Sequence, residues 1–151
     1  MPALVLLRMA NAERHAGLAP SSHRFPEADA VRQYFENRLS APDRDDGLLL
    51  VAEVPGAVVG MAELVMLSAP PDHQILIPVR RAEIHTVVLE DYRGEGIGKA
   101  LAAAAEAHAV QRSVSCLFAP ILAANTQAVT FYSRSGFGDY GIILMKDLRA
   151  S

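Results

Sequence analysis

The hydrophobic pattern of the first half of the chain predicts a strand, a helix and a hairpin. The short apolar run Ala3–Met9 predicts a first strand, and apolar positions near helical spacing predict an amphipathic helix over residues 27–40. Two further apolar runs, Leu48–Val54 and Ala57–Leu67, flank a Pro-Gly pair and therefore predict an antiparallel hairpin. The polar segment Ala41–Gly47 predicts a turn between the helix and the hairpin.

The second half of the chain alternates strands with helices after an irregular, proline-containing connection over Ser68–Arg80. The pattern then predicts a strand over Arg81–Leu89, an alanine-rich helix over Lys99–Ser113, a buried strand over Val114–Ala124, a helix over Asn125–Phe137 and a last strand over Gly138–Leu148. This order indicates an α/β (α+β) fold, with helices covering a mixed sheet in a single domain over residues 1–151.

Composition and charge narrow the class of protein. Hydrophobic residues make up 51% of the chain and charged residues 21%, which is typical of a globular domain with a substantial core. The net charge of −3 gives no basic field for nucleic acid or an anionic membrane. No apolar run approaches the roughly 20 residues of a membrane-spanning helix. No spacing typical of a zinc site occurs, so we expect no metal.

The single cysteine bears on cellular location. Cys116 excludes an intrachain disulfide, and the N-terminal apolar run is too short for a secretory signal and lacks its basic lead. The simplest expectation is therefore a reducing cytoplasm. Cys116 lies in an apolar run, so we expect a small buried hydrophobe rather than a nucleophile.

The stretch EDYRGEGIGKAL, Glu90–Leu101, favours an anion-binding site. A strand, a glycine-rich loop and a helix present backbone N–H groups and the positive end of a helix dipole to a phosphate. Arg93 and Lys99 add positive charge at the two ends of the loop. A tight turn without a ligand is the alternative, but three alternating glycines with these flanks favour the anion site.

The usual nucleotide-binding loops do not fit this stretch. An ATP-binding loop requires a glycine where Arg93 stands and a hydroxyl where Ala100 stands. A dinucleotide fingerprint requires G-x-G-x-x-G and an acidic residue about 20 positions further on. The chain has G-x-G-x-G instead, and no Asp or Glu lies between Glu106 and Asp139. These departures also disfavour a nucleotide-binding regulatory domain.

A third pattern fits the loop. Arg93, Gly96 and Gly98 form R-x-x-G-x-G behind an apolar strand, which resembles the acetyl-coenzyme A motif of the GNAT superfamily of N-acetyltransferases. Downstream, NTQAVTFYSRSGF is similar to that family's N-x-x-A-x-x-F-Y-x-x-x-G-F signature, at Asn125, Ala128, Phe131, Tyr132, Gly136 and Phe137. One helix and one strand separate the two motifs, which together cover about residues 82–137.

The resemblance implies a fold and a co-substrate. The fold is the acyl-CoA N-acyltransferase fold, a mixed, mostly antiparallel sheet of about six strands, flanked by helices and splayed between strands four and five. The co-substrate is acetyl-CoA, with its pyrophosphate on the loop amides and its pantetheine arm along the fourth strand. The family would place the following residues against it: Val87, Val88, Leu89, Arg93, Gly94, Glu95, Gly96, Ile97, Gly98, Lys99, Asn125 and Tyr132.

The resemblance also implies catalytic roles. Tyr132 matches the family's tyrosine that gives a proton to the coenzyme A thiolate, with a packed aromatic beside Phe131 as the alternative. Strand alternation places Glu83 and His85 on one face, where either could accept the proton of the amine. The alternative is that both are polar side chains lining a cleft, since some relatives need no dedicated base. Asn125 caps its helix, contacts the cofactor, or does both.

The implied activity is transfer of an acetyl group from acetyl-CoA to a primary amine by direct attack in a ternary complex. A small-molecule amine is the expected acceptor, and a peptide or protein amine or a non-catalytic acyl-CoA-binding sensor are the alternatives. Residues 20–38 and Ser68–Arg80 are expected to face the acceptor. Many relatives form homodimers through the terminal sheet edge, and the single final strand predicted here leaves the pairing mode of a homodimer open.

Overall fold

The computed structural model describes residues 1–40 and 47–149, so that the predicted turn over Ala41–Gly47 lies outside the described residues except for Gly47. The helices and strands are α1 (Pro2–Leu18), α2 (Ala28–Ser40), β1 (Leu48–Val54), β2 (Ala57–Met66), β3 (Arg81–Val88), α3 (Ile97–Gln111), β4 (Cys116–Phe118) and α4 (Thr126–Arg134). A 3₁₀ turn, Glu90–Tyr92, lies between β3 and α3.

The strands of the described residues form one sheet in the order β1-β2-β3-β4. β1 and β2 pair antiparallel around a turn at Gly56, whose φ of 84° lies in the left-handed region that glycine adopts without strain. The predicted hairpin is therefore confirmed. β2 and β3 also pair antiparallel, whereas β4 runs parallel to β3. The predicted mixed, mostly antiparallel sheet is confirmed as well.

β3 and β4 diverge after a short stretch of pairing. Residues Arg81–Glu83 pair with Cys116–Phe118, and within the described residues the rest of β3 has no strand neighbour on that side. The opening exposes one edge of β3 next to α4 and the loop that leads into α3. The splay that the resemblance implies beside its fourth strand corresponds to this opening, which leaves room for an extended ligand along β3.

The first predicted strand, Ala3–Met9, is wrong, because this run belongs to helix α1. A short apolar run fits a strand and a buried helix equally well, and here its neighbours are good helix formers. Pro2 lies in the first turn, where its missing N–H costs nothing. Leu4 and Leu7 are buried one turn apart, whereas Leu6 is 56% exposed, which is the pattern of an amphipathic helix.

The last two predicted strands differ from the structure. Of the segment Val114–Ala124 only Cys116–Phe118 forms a strand, since Pro120 cannot donate a ladder hydrogen bond and ends the run. Cys116 is exposed rather than buried. The segment Gly138–Leu148 forms no strand, because it pairs with no described neighbour and β-propensity without a partner does not make a sheet. The described sheet therefore has four strands.

The two faces of the sheet carry different helices. On one face α1 and α2 pack over a buried cluster of Leu4, Leu7, Val31, Phe35, Met61 and Val87. On the other face α3 and α4 pack over a cluster of Ala62, Ile84, Leu101, Ala102, Ala105 and Tyr132. The three helices predicted over residues 27–40, Lys99–Ser113 and Asn125–Phe137 are confirmed with small shifts in their bounds. The sheet thus separates an α1/α2 side from an α3/α4 side.

Candidate active site

The connection from β3 to α3 is shaped by two glycines with positive φ. Gly94 and Gly96 both have a φ of 82°, and Gly96 is the residue that caps α3. A side chain at either position would strain the backbone. The first intrahelical bond of α3 runs from the Ala100 N–H to the Gly96 carbonyl at 3.0 Å. The N–H groups of the preceding residues in the first turn therefore have no partner within the helix.

Gly98 serves a different purpose, namely close packing between helices. A Cβ atom at this position would lie 3.3 Å from Cε2 of Phe131 on α4 and 3.6 Å from Cγ2 of Val88 on β3. The absence of a side chain lets the first turn of α3 approach α4 and the end of β3. The three glycines of the motif therefore divide their roles between loop conformation and helix packing.

Arg93 holds the loop against the end of β3. Its Nε donates a hydrogen bond to the Val88 carbonyl at 3.1 Å, and its backbone N–H donates to the Glu90 carbonyl at 3.2 Å. The side chain is exposed, and these contacts fix the base of the loop while leaving the guanidinium near its mouth. Arg93 can therefore shape the loop and contact a phosphate.

The backbone of β3 offers alternate residues to the opening beside it. Leu67 N–H donates to the Arg81 carbonyl, and Leu89 N–H donates to the Val59 carbonyl, so odd-numbered residues of this strand face β2. Even-numbered residues face the opposite way, into the opening. Of the residues predicted to pair with a pantetheine arm, Val88 therefore faces the opening, whereas the backbone N–H of Leu89 is already bonded within the sheet.

A cavity of about 380 Å³ lies between β3, the loop, the start of α3 and the start of α4. It brings together most of the residues predicted to bind the cofactor: Val87, Val88, Arg93, Gly94, Gly96, Ile97, Gly98, Lys99, Asn125 and Tyr132. Leu89, Glu95, Glu83 and His85 are not part of its lining. The glycine loop and the predicted acid thus share one cavity, and the predicted bases lie outside it.

Tyr132 lies at the inner part of this site and is 7% exposed. Its hydroxyl donates a hydrogen bond to Oγ1 of Thr86 on β3 at 3.0 Å. Its ring packs edge-on against Phe131 and Phe137, with centroids 4.9 and 5.2 Å away. Burial raises the pKa of the Tyr132 hydroxyl, and hydrogen bonding with the side chain and backbone of Thr86 lowers it in part. The phenol therefore keeps its proton at neutral pH and can donate it.

Asn125 is the N-cap of α4 and is buried. Its Oδ1 accepts a hydrogen bond from the Ala128 N–H at 3.3 Å and another from Nη2 of Arg14 at 3.0 Å. The same nitrogen of Arg14 donates to Oε1 of Gln127 at 2.8 Å. Arg14 and Asn11, both on α1, line the cavity, and nothing in the sequence pattern pointed to them.

Glu83 and His85 share one face of β3, as strand alternation predicts, with Oε2 and Nε2 3.8 Å apart. Their side chains are 28% and 46% exposed. They lie on the same strand face as Val87, which packs with α1 and α2, whereas Thr86 faces the α3/α4 side. The predicted acid and the predicted bases therefore approach β3 from opposite faces of the sheet.

A buried carboxylate, Glu63, lies beside His85 on the neighbouring strand, since these two residues are partners in the β2–β3 register. Glu63 is 3% exposed. Its Oε1 lies 3.2 Å from Nη2 of Arg8, and its Oε2 lies 3.3 Å from Nε of Arg38. The hydroxyl of Tyr34 donates a hydrogen bond to Oε2, the same carboxylate oxygen that Arg38 contacts. In the sequence, the only indication of this site is that Glu63 is a glutamate within the otherwise apolar run AVVGMAELVML.

Residues 1–40 and 47–149 contain no group of three His, Cys, Asp or Glu side chains placed to hold a metal ion. None of the helices in the described part of the chain is long and apolar enough to cross a lipid bilayer.

A comparison with protein families shows the family of this chain. Residues 11–137 match the model of the Acetyltransferase (GNAT) family. The chain belongs to this family. The matched range contains the glycine loop and the helix that carries Tyr132, so the GNAT resemblance of the two motifs is confirmed. Acetyl-CoA is the typical acyl donor of GNAT enzymes.

Solved structures share the fold. A mutant of the BH1408 protein from Bacillus halodurans is 17% identical, with a TM-score of 0.84 over 97% of this chain and 92% of that chain. Ribosomal-protein-alanine N-acetyltransferase from Brucella melitensis is 29% identical, with a TM-score of 0.71 over 93% of this chain and 80% of that chain. Glucosamine-6-phosphate N-acetyltransferase from Arabidopsis thaliana is 16% identical, with a TM-score of 0.62 over 91% of this chain and 92% of that chain. No match was found among curated protein sequences.

Proposed function

We propose that this GNAT acetyltransferase transfers an acetyl group from acetyl-CoA to a primary amine by direct attack in a ternary complex. The observation that carries the proposal is the single cavity that connects the glycine loop with the hydroxyl of Tyr132. The pyrophosphate and the thioester are far apart in acetyl-CoA. The glycine loop of this cavity can bind the pyrophosphate, and Tyr132 can give a proton to the sulfur of the thioester.

The loop fits the pyrophosphate of acetyl-CoA. The free N–H groups of the first turn of α3 and the left-handed glycines Gly94 and Gly96 form a concave backbone surface. Arg93 and Lys99 line the same cavity and supply positive charge. The backbone of β3 beside the opening would pair with the pantetheine arm, with Val88 as the residue of the predicted set that faces it.

The proposed chemistry uses both faces of the sheet. Tyr132 gives its proton to the leaving thiolate from the α3/α4 side. Glu83 or His85 takes the proton of the amine from the α1/α2 side, directly or through water. The two groups act on different protons, and they lie on opposite faces of the sheet.

The acceptor is proposed to be a small-molecule amine, with a peptide or protein amine as the second candidate. The exposed His85 and the half-buried Glu83 support access of an amine from solvent, and they do not decide the size of the acceptor. The structural neighbour from Brucella melitensis, which is named for an alanine of a ribosomal protein, favours the second candidate. A peptide with an N-terminal alanine therefore belongs in any panel of test amines.

The proposal places the protein in the cytoplasm and makes it a homodimer. Exposed Cys116 is its one cysteine, which suits a reducing compartment. The exposed apolar side chains of Gly138–Leu148 and the edge of β4, which has no strand neighbour among residues 1–40 and 47–149, support pairing with a second copy.

The test is release of coenzyme A thiol from acetyl-CoA across a panel of small amines, amino sugars, polyamines and short peptides. We expect Tyr132→Phe to lower kcat by about 100-fold and to leave the KM for acetyl-CoA within about twofold, because the acid acts on the leaving group. Tyr140→Phe is the matched control, since this tyrosine is 80% exposed and lies outside the cavity. Tight acetyl-CoA binding without thiol release from any amine would favour the sensor alternative instead.

A further inference from the structure

The hydroxyl of Tyr132, on helix α4, is held by one residue of strand β3. Within the described part of the chain its hydrogen-bond partner is Thr86, and the two oxygens lie 3.0 Å apart. The ring cannot easily move away, because Phe131 and Phe137 pack edge-on against it and the residue is 7% exposed. The phenolic oxygen therefore keeps a fixed position, and only the direction of its O–H bond is free to change.

Thr86 has two groups that can donate a hydrogen bond to the phenolic oxygen of Tyr132. Its side-chain hydroxyl is the first, and its backbone N–H is the second, since even-numbered residues of β3 direct their backbone groups into the opening. Hydrogen bonds from the side chain and the backbone of Thr86 both lower the pKa of Tyr132, in opposition to burial, which raises it. Groups that lower the pKa of a phenol are those that stabilise its ionised form.

Charged side chains also line the cavity that contains Tyr132. The charged side chains that line the cavity are Arg14 from α1, Arg93 from the loop and Lys99 from α3, whereas burial and the hydrogen bonds with Thr86 account for the raised pKa of Tyr132. Glu83 and His85 belong to the other face of β3. The ionisation of Tyr132 is thus governed by burial and by Thr86.

We propose that Thr86 is a positioning residue for the acid step of this enzyme: its hydroxyl holds the Tyr132 proton in the free enzyme and stabilises the Tyr132 oxygen after that proton has left. The proposal rests on the proposed function of Tyr132 as the acid. The role of Thr86 in this proposal depends on its hydroxyl group and not on the branched shape with which it packs in β3.

The proton balance of the step is complete. As the amine nitrogen bonds to the acetyl carbon and the carbon–sulfur bond breaks, the electron pair of that bond goes to sulfur. The sulfur then takes the proton from Tyr132, while the amine loses a proton to the base or to water. The phenolate accepts hydrogen bonds from the Thr86 hydroxyl and N–H, and it regains a proton from water before the next turnover. The reversal of the Tyr132–Thr86 bond needs only rotation of the two hydroxyl groups.

The first measurement is steady-state kinetics on two variants of Thr86. Thr86→Val keeps the branched shape that suits a strand and removes the hydroxyl, so we expect kcat to fall about tenfold with the KM for acetyl-CoA within about twofold. Thr86→Ser restores the hydroxyl and should restore kcat to within about twofold of the wild type. Thr130→Val, at an exposed threonine on α4 outside the cavity, is the control for a change of this size.

The second measurement does not depend on activity. The chain has four tyrosines, so labelling with tyrosine carrying ¹³C at Cζ gives a simple NMR spectrum in which Tyr132→Phe assigns one resonance. The Tyr132 signal should titrate at higher pH in Thr86→Val than in the wild type, and at an unchanged pH in Thr86→Ser. If valine disturbs folding, as judged from the unfolding curve, Thr86→Ala replaces it.

The two measurements separate the possible failures. Equal kcat and an equal Tyr132 titration midpoint in Thr86→Val and the wild type would overturn the role of Thr86. A loss of kcat in Thr86→Ser as large as that in Thr86→Val would also overturn it, because the hydroxyl would then not be the active feature. A wild-type protein that releases no thiol with any amine contradicts the proposed function, while the NMR titration still tests the coupling of Thr86 to Tyr132.

Discussion

Glu63 is a buried carboxylate in the middle of β2, and its environment comes from both helices of the α1/α2 side. Arg8 reaches it from α1, and Arg38 and Tyr34 reach it from α2. A carboxylate can be buried at tolerable cost only when it is paired and hydrogen-bonded, so these contacts are coupled to one another. The cluster fixes the two helices over the sheet next to His85, where the proposed acceptor has to bind.

The first prediction concerns the pH dependence of stability. Burial, followed by the hydrogen bond to Glu63, raises the pKa of Tyr34 to about 12, above the value near 10 of an unfolded tyrosine. The folded state then holds the proton more tightly, so this contribution is full below pH 10 and is lost as pH rises from about 10 to about 12. Tyr34→Phe should flatten this decline in the free energy of unfolding.

Urea unfolding at pH 8 and pH 11 measures the difference, with Tyr140→Phe as the control because Tyr140 is 80% exposed. A decline between the two pH values that is the same in Tyr34→Phe as in the wild type would contradict the assignment. Tyr132 is present in Tyr34→Phe and in Tyr140→Phe. Its raised pKa therefore contributes equally to the fall in the free energy of unfolding of both variants between pH 8 and pH 11.

The sequence pointed to those cavity-lining side chains that belong to a motif of residues close along the chain. Arg93 and Tyr132 could be predicted because each belongs to a short motif with fixed spacing. Thr86, Arg14 and Glu63 could not be predicted, because their partners lie 46, 111 and 29 residues away. Contacts over such separations depend on how helices and strands pack, which a linear pattern does not encode.

Among the elements, the loop between β3 and α3 shows how one motif meets two different requirements. Gly94 and Gly96 are needed for their φ of 82°, and a Cβ atom at either would meet nothing within 4 Å. Gly98 has no positive φ, but a Cβ there would press on Phe131. The first pair thus sets the path of the backbone, and the last glycine sets the distance between α3 and α4.

The second prediction follows from this division. Gly96→Ala should lower the free energy of unfolding by about 1–2 kcal/mol, because alanine is strained in the left-handed region. It should also weaken acetyl-CoA binding, since the strain displaces the amides of the first turn of α3. Gly138→Ala is the matched control, because Gly138 has neither a positive φ nor a neighbour within 4 Å. Equal unfolding midpoints for the two variants would contradict the role of the left-handed conformation.

The prediction of elements failed where a short apolar run fits a helix and a strand equally well. Ala3–Met9 is such a run, and it forms part of helix α1 because that helix packs on α2 and the sheet. The hairpin and the alanine-rich helix carried their own turn or propensity signals, and both were predicted correctly. Gly138–Leu148 has the composition of a strand but pairs with no strand of the described residues, so its composition alone did not decide its structure.

For the molecule as a whole, a run of strongly exposed apolar side chains lies in that C-terminal segment. Ile142, Ile143 and Leu144 are 87%, 94% and 90% exposed. Within the described residues the outer edge of β4 has no strand neighbour, and Tyr140 packs on Phe118 of that strand. An apolar extended segment beside an open sheet edge favours association with a second copy, which would cover both.

The third prediction is that the wild-type protein sediments as a dimer at micromolar concentration. Ile143→Asp should shift it to the monomer, because a charge is costly in a buried apolar contact. Ile75→Asp is the control, since Ile75 is 99% exposed but lies in the connection between β2 and β3. A monomeric wild type, or a dimer that Ile143→Asp leaves intact, would contradict pairing through this segment.

The central claim is that the cavity joining the glycine loop to Tyr132 binds acetyl-CoA, and isothermal titration calorimetry tests it most directly. We predict one acetyl-CoA site per chain with a Kd below about 100 µM, weaker binding by Gly96→Ala, and no comparable binding of NAD or ATP. The absence of acetyl-CoA binding at about 100 µM, or binding of NAD or ATP with equal affinity, would contradict the claim.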